Sequence, residues 1–332
     1  MQRVPFDQLR DTLERALAAS GLPLGRAALA ARLIAESSLD GVPSHGLNLV
    51  PRLITMIRSG VVDTSARAEA VASHGALERW DGHRGVGVLN AYEAMQSAIA
   101  LSRAHGIGCV ALGNTNHWFR GGTYGWQAAD AGVIGICWTN TLPNLPPWGA
   151  DEPRIGNNPL VIAVPRDDGH VVLDMAMSQF SYGALRSYRT RGELLPVDGG
   201  FDREGHLTRD PAEILASMRP LPIGYWKGSG LSMLLDMVAA ALSGGSATHQ
   251  IPREPEREIG LSQVFIAIAP TTVGARDEAM RIVDAIVAST GVRYPGQRAA
   301  EARRLNLVEG VPVDPDAWRF VLRLVHPESV EE

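Results

Sequence analysis

The chain is short of cysteine, of excess basic charge and of any long apolar run, and each shortage excludes something. Cys109 and Cys137 are the 2 cysteines among 332 residues, a spacing unlike a metal knuckle or a disulfide framework. Both lie in apolar, strand-like runs, so they read as buried, reduced thiols of a cytoplasmic protein. Net charge is -5 with both signs scattered, so there is no basic stripe for a phosphate backbone and nucleic acid is not an expected partner. The longest apolar run, Leu231 to Leu242, is broken by Asp236 and is too short to cross a bilayer, which predicts a core helix and no membrane partner. The N-terminus, with Gln2, Arg3, Asp7 and Gln8, lacks the apolar segment of a signal peptide. The 9 histidines show neither H-x-H nor H-E-x-x-H spacing, so no metal is expected. No G-x-S-x-G elbow is present, and there is no internal repeat. Gly106 to Ala111 fits the letters G-x-G-x-x-A, but it follows a helical pattern and opens a strand, the reverse of a dinucleotide fingerprint.

What the chain has in plenty is glycine, 35 residues against 45% hydrophobic content, which suits a large α/β enzyme with many tight turns. Phe6, Leu9, Leu13 and Leu17 recur at helical spacing to about Ala19; further helices are predicted from Gly25 to Leu39 and from Val50 to Ser59. Strands are predicted at Leu77–Gly82, Gly106–Leu112, Val133–Thr139, Pro159–Val164, Val171–Asp174 and Ser262–Ile268. Helices are predicted at Val88–Ala104, Ser229–Ser243 and Ala275–Ser289, and β-α-β alternation implies a partly parallel sheet. Residues 187–224, rich in Gly, Pro and charge, read as a surface excursion. The division expected is a helical part over 1–75, an α/β body over 76–310 and a C-terminal tail over 311–332.

Four stretches are candidates for chemistry. Pro43-Ser44-His45-Gly46 sets an imidazole beside a hydroxyl on a bend, where Pro43 fixes its φ and Gly46 permits φ > 0. Histidine titrates near neutrality and can hand over a proton there; the alternative is a polar loop or capping residue. Asn114 to Gly125 follows a predicted strand and crowds amides, an imidazole and a guanidinium, groups that bind a small anion in an α/β crevice. Trp118 and Tyr124 in it read equally well as packing. Gly224-Tyr225-Trp226-Lys227-Gly228-Ser229-Gly230 brings a lysine to a helix start, where a phosphate is favoured, or is a glycine-rich loop with a solvated lysine. Asp174 to Ser178 ends a strand with small residues that let a ligand approach.

Ser44-His45-Gly46, Asn116-His117, Gly156-Asn157-Asn158-Pro159, Leu173-Asp174-Met175-Ala176 and Gly224 to Gly230 resemble, in this order, the type 2 malate/L-lactate dehydrogenase family. Pro147-Trp148-Gly149-Ala150 and Leu195 to Asp202 strengthen the likeness. The resemblance implies a mixed-sheet α/β fold distinct from Rossmann, usually a homodimer, and reduction of a 2-keto acid or a cyclic imino acid with NADH or NADPH. Within the family it points to a diketo-sugar acid, with a malate- or lactate-like acid as alternative. On matching positions it implies Ser44 and His45 at the substrate, with His45 as proton donor and His117 in reserve. The cofactor would touch Asp174, Met175, Ala176, Met177 and Ser178, then Trp226 and Lys227, then Gly296, Gln297 and Arg298. Arg52, Arg120 and Asn140 are the expected substrate-orienting residues. Leu49 stands where the family usually shows an arginine, with Arg52 about one helical turn on, and Arg298 stands where an acidic residue is common. Outside the oxidoreductases, a hydrolase using Ser44 and a pure binding module are the competing classes.

Overall fold

A computed structural model of the chain describes residues 2–167, 169–270 and 274–326. In chain order the strands are β1 (Arg3–Val4), β2 (Glu69–His74), β3 (Leu77–Asp81), β4 (Ile107–Asn116), β5 (Ile134–Thr139), β6 (Leu160–Val164), β7 (Val171–Met175), β8 (Gly200–Phe201), β9 (Leu207–Thr208), β10 (Ile259–Ile268) and β11 (Val311–Pro312). The helices are α1 (Phe6–Ala19), α2 (Leu24–Leu39), α3 (Val50–Arg58), α4 (Gly87–His105), α5 (Gly122–Asp130), α6 (Tyr182–Arg191), α7 (Pro211–Ser217), α8 (Trp226–Ser243), α9 (Ala275–Thr290), α10 (Gln297–Glu309) and α11 (Pro315–Val325).

The main sheet has 7 strands in the order β2-β3-β4-β10-β5-β6-β7. Only β3 and β4 pair in parallel, joined by the α4 crossover; every other neighbouring pair is antiparallel. The alternation of strand and helix therefore yields less parallel pairing than it implies, because β10 inserts antiparallel between β4 and β5. β10 is buried on both faces, as a central strand covered by helices must be. Phe265 and Ala267 join the cluster under α4 and α5, while Val264 packs with Leu235 and Ala239 of α8 on the other face. Cys137 is buried and Cys109 half-buried, both as free thiols, and burial pushes the Cys109 thiol up to about 11.

The N-terminal helices form their own core, in which Leu9, Leu13 and Leu17 of α1 are fully buried, each contributing about 2 kcal/mol of apolar burial. This core reaches further along the chain than expected. The described part of the expected 311–332 tail forms β11, paired with β1, and α11, whose Trp318 and Val321 join the N-terminal cluster, while 327–332 lie outside the described residues. Asp314 starts α11 by accepting from the backbone N–H groups of Asp316 and Ala317, with Pro315 in the first turn.

Other elements carry no readable pattern. β2 is an edge strand exposed along nearly its whole length, and α10 buries only Asn306, so neither has an apolar stripe to betray it. The excursion over 187–224 takes in the end of α6, then β8, β9 and α7, around Leu185, Leu195 and Ile214.

The α8 run is not the core helix its apolarity predicts. Its buried face is made of Leu235 and of the small residues Gly228, Ser229, Ser232, Ala239 and Ser243; a Cβ on Gly228 would lie 2.2 Å from the carbonyl oxygen of Ile223 in the preceding turn. Met233, Leu234, Met237 and Val238 face outward, Leu234 at 58% and Met237 at 57% exposure. No helix among the described residues is long and apolar enough to cross a membrane.

Candidate active site

The His45 loop starts where α2 stops. Asp40 ends the helix, Gly41 turns the chain at φ 77, and Pro43–His45 make one 3-10 turn. Gly46 has φ -128 rather than a positive value. Its glycine is required by crowding instead, since a Cβ there would come 2.4 Å from Ser38 Oγ, the same hydroxyl that accepts from the Leu47 N–H at 3.0 Å. Gly183, at the start of α6, lies over Ser44, and a Cβ on it would stand 3.1 Å from Ser44 Oγ.

His117 leaves the end of β4 and faces His45, with ring centroids 6.1 Å apart and the planes inclined by 27°. The two imidazoles are held differently. Ser44 Oγ lies 3.1 Å from His45 Nδ1, and a hydroxyl can donate to that nitrogen or accept from it. His117 Nδ1 instead accepts the backbone N–H of Phe119 at 3.1 Å, a donor that cannot reverse. Phe119 reaches that position by adopting φ 65, a left-handed conformation that a phenylalanine rarely takes and that concentrates at functional sites. His117 is therefore the Nε2–H tautomer. Burial pushes its titration well below the usual histidine range, helped by Arg52 and His45. Burial also lowers His45, where Asp174 acts to raise it and Arg120 to lower it further.

Arg120 is buried, paired through Nη1 with Asp40, and its Nε finds no partner among the described residues. Asp174 accepts the Gly122 N–H at 2.8 Å. Arg52 donates to the Pro255 carbonyl and meets the buried Glu258 at 2.6 Å, and it borders, with His117, a small recess walled by Leu49, Leu53, Met56, Val62 and Phe119. Asn140 does not join this group. Its amide donates to Asp236 and Ser246, and its oxygen accepts the Ser262 N–H at 2.8 Å, which occupies it with sheet and helix contacts. Trp118 and Tyr124 are packing residues, each set edge-on to Phe265 in the core.

The three stretches expected to hold a cofactor, far apart in sequence, meet along the edge strand β7. Gly296, at φ 94, packs against its start, where a Cβ would lie 3.1 Å from the Val172 nitrogen. The Val172 N–H bonds the Pro295 carbonyl at 2.9 Å. Past its end, Ser178 bridges Pro222 and the Ile223 N–H bonds the Met177 carbonyl, which brings Gly224 to Lys227 alongside. Asp174, Trp226, Lys227 and Arg298 are exposed, Met175, Ala176 and Gln297 half-buried. Gln297 is engaged with Tyr294 and Glu301. Met177 is fully buried in the core under α8 and its side chain offers nothing to a ligand. Ser178 is buried with no partner for its Oγ among the described residues, and Tyr225 before α8 has φ 58 and packs tilted against Trp148, ring centroids 4.9 Å apart.

Residues 4–321 match the model of a known family, malate/L-lactate dehydrogenase. The chain belongs to that family. Its membership makes it an oxidoreductase and agrees with a mixed sheet that carries no dinucleotide fingerprint. A 2,3-diketo-L-gulonate reductase of Citrobacter koseri is 45% identical, the alignment covering 97% of this chain and 100% of the relative. Among solved structures, malate dehydrogenase from Pyrococcus horikoshii superposes with TM-score 0.89 at 26% identity, covering 99% of this chain and 96% of that one. The delta1-piperideine-2-carboxylate reductase of Pseudomonas syringae gives TM-score 0.88 at 27% identity, covering 98% and 100%.

Two charged residues that hold the site escaped the sequence reading, Asp40 behind Arg120 and Glu258 behind Arg52. Asp40 carried one signal. A carboxylate at the C-terminal end of a helix opposes the dipole, so an Asp there calls for a cationic partner.

Proposed function

We propose that the chain reduces a 2-keto acid to the 2-hydroxy acid with NADH or NADPH, in a cytoplasmic setting, His45 donating the proton. The observation that carries this assignment is the difference between the two Nδ1 partners. Ser44 can reverse its hydrogen bond as His45 changes charge, whereas protonating His117 Nδ1 would set it against the Phe119 N–H. His117 therefore serves as a neutral donor to the substrate oxygen through Nε2.

The residues gathered along β7 suit a nicotinamide dinucleotide: Asp174, Trp226 and Lys227 are exposed beside a Ser178 hydroxyl that has no partner among the described residues. Lys227 and the start of α8 would take a phosphate, and Ala176 and Ser178 would lie beside the sugar chain. Bound there, the reduced nicotinamide supplies a hydride to the carbonyl carbon. The helical part over 1–75 contributes His45 and Arg52, the body over 76–310 the rest. Arg52 and Arg120 orient the substrate carboxylate.

The sugar-acid relative favours a diketo-sugar acid as substrate, and the piperideine-carboxylate reductase supports cyclic imino acids as the second choice. Purified protein with NADH or NADPH and each acid in turn, followed by loss of nicotinamide absorbance, tests the proposal; no oxidation with any member would sink it.

A homodimer is part of the same proposal, and the outward apolar face of α8 supports it. Exposed Met233, Leu234, Met237 and Val238 form a patch of the kind that a second copy covers. Sedimentation at micromolar concentration is expected to give a dimer, and Met237→Glu to give a monomer. A wild-type monomer would refute the assembly.

A further inference from the structure

Asp40 stands at the junction of three parts of the site. It ends α2 five residues before His45. One of its carboxylate oxygens holds Arg120 Nη1, and the other meets Nε of Arg303, on α10, at 2.6 Å. Its side chain is 3% exposed, against 6% for Arg120 and 42% for Arg303. α10 is fastened to the same corner twice more. Asn306 Nδ2 donates to the Leu39 carbonyl at 2.8 Å, and Gly41 packs against Ala302, where a Cβ would come 3.1 Å from the alanine methyl.

Arg120 has a second end. Its buried Nε–H is unpartnered and lies on the side of Gly122 and Asp174, a Cβ on Gly122 standing 3.2 Å from that nitrogen and 2.9 Å from the Asp174 carboxylate. A buried donor left without an acceptor is costly unless something supplies one.

We propose that Asp40 is a positioning residue for the reduction: it fixes Arg120 so that the free Nε–H faces the substrate, and it balances the guanidinium charge beside His45. Its bond to Arg303 ties α10 to that setting. The proposal rests on the reaction assigned above.

The charged and titratable groups around His45 are Arg120 from the turn after β4, Asp174 from β7 and the stacked ring of His117, with Asp40 and Arg303 behind Arg120. Asp174 favours the imidazolium and Arg120 opposes it. Removing the Asp40 charge leaves Arg120 and Arg303 unbalanced, so the imidazolium is destabilised. Removing Arg303 has the opposite sign, since Asp40 then answers to Arg120 alone.

The test uses the full chain and two readouts. Proton NMR follows the titration of His45 in the ligand-free protein, its signal assigned by loss in His45→Ala. In Asp40→Asn the midpoint is expected to move to lower pH by about one pH unit. In Arg303→Ala it is expected to move to higher pH, and in Asp40→Glu to return toward wild type. The falling limb of kcat/KM for keto-acid reduction moves with it, and kcat at neutral pH drops about tenfold in Asp40→Asn.

Loss of thermal stability with both profiles unmoved would mean that Asp40 is only structural, and overturns the proposal. Should Asp40→Asn fail to fold, Arg303→Ala decides alone, and an unshifted midpoint there overturns it equally. An NMR shift in a protein that reduces no 2-keto acid would keep the electrostatic link and remove the reaction from the reading.

Discussion

Replacing His45 by alanine is expected to lower turnover of the proposed 2-keto-acid reduction by about a hundredfold to ten-thousandfold, the usual yield of a general acid, and to leave NADH affinity close to wild type. A large effect is expected because, of the two facing imidazoles, only His45 has an Nδ1 partner that can follow a change of charge. His117 Nδ1 already accepts the Phe119 N–H, whereas the Ser44 hydroxyl beside His45 Nδ1 can donate or accept. His117→Ala is accordingly expected to raise KM more than it lowers kcat. Near-normal turnover in His45→Ala, with loss in His117→Ala, would reverse the two roles.

The sign of the pH dependence follows from the same group. Reduction needs the imidazolium, so kcat/KM, which reports the free enzyme, is high below the His45 pKa and falls as pH rises through it. Burial holds that pKa below the ordinary histidine value of 6.5, so the falling limb is expected on the acid side of a free histidine. Oxidation of the hydroxy acid needs neutral imidazole and rises with pH through the same lowered value. A reductive limb above the ordinary value would contradict the burial seen here.

Lys227→Ala is expected to weaken NADH binding by about tenfold to a hundredfold, as the loss of a charge-assisted contact to phosphate does, and to change keto-acid KM far less. The lysine is exposed at the start of α8, so its contact is partly screened and the lower end of that range applies. Direct titration by nicotinamide fluorescence measures it. Unchanged affinity would remove Lys227 from the cofactor groove, and with it the case for the α8 N-terminus as the phosphate seat.

Helices with one apolar face were legible because burial imposes a period on the sequence: α1 and α2 begin and end within a residue of expectation. Strands buried on both faces, such as β5 and β10, were legible as short apolar runs. The polar edge strand β2 and the polar α10 were not, since neither buries enough apolar surface to leave a pattern. α8 misled for the converse reason, an apolar helix that turns Met233, Leu234, Met237 and Val238 outward while Leu235 and Ala239, with glycine and serines, face the sheet.

The chain's order of residues determined by itself which groups are present, namely a histidine on a Pro-Gly bend, a second after a strand, and a lysine among glycines at a helix start. These are local features, dictated by backbone chemistry within a few residues. Only the tertiary structure decided which of them meet and in what state. It brought Gly296 and Ser178 to one edge strand, withdrew Asn140 into the sheet and placed Asp40 between Arg120 and Arg303. Protonation and pairing depend on distances between residues as far apart as Asp40 and Arg303, 263 positions in sequence, and folding, not spacing along the chain, sets those distances.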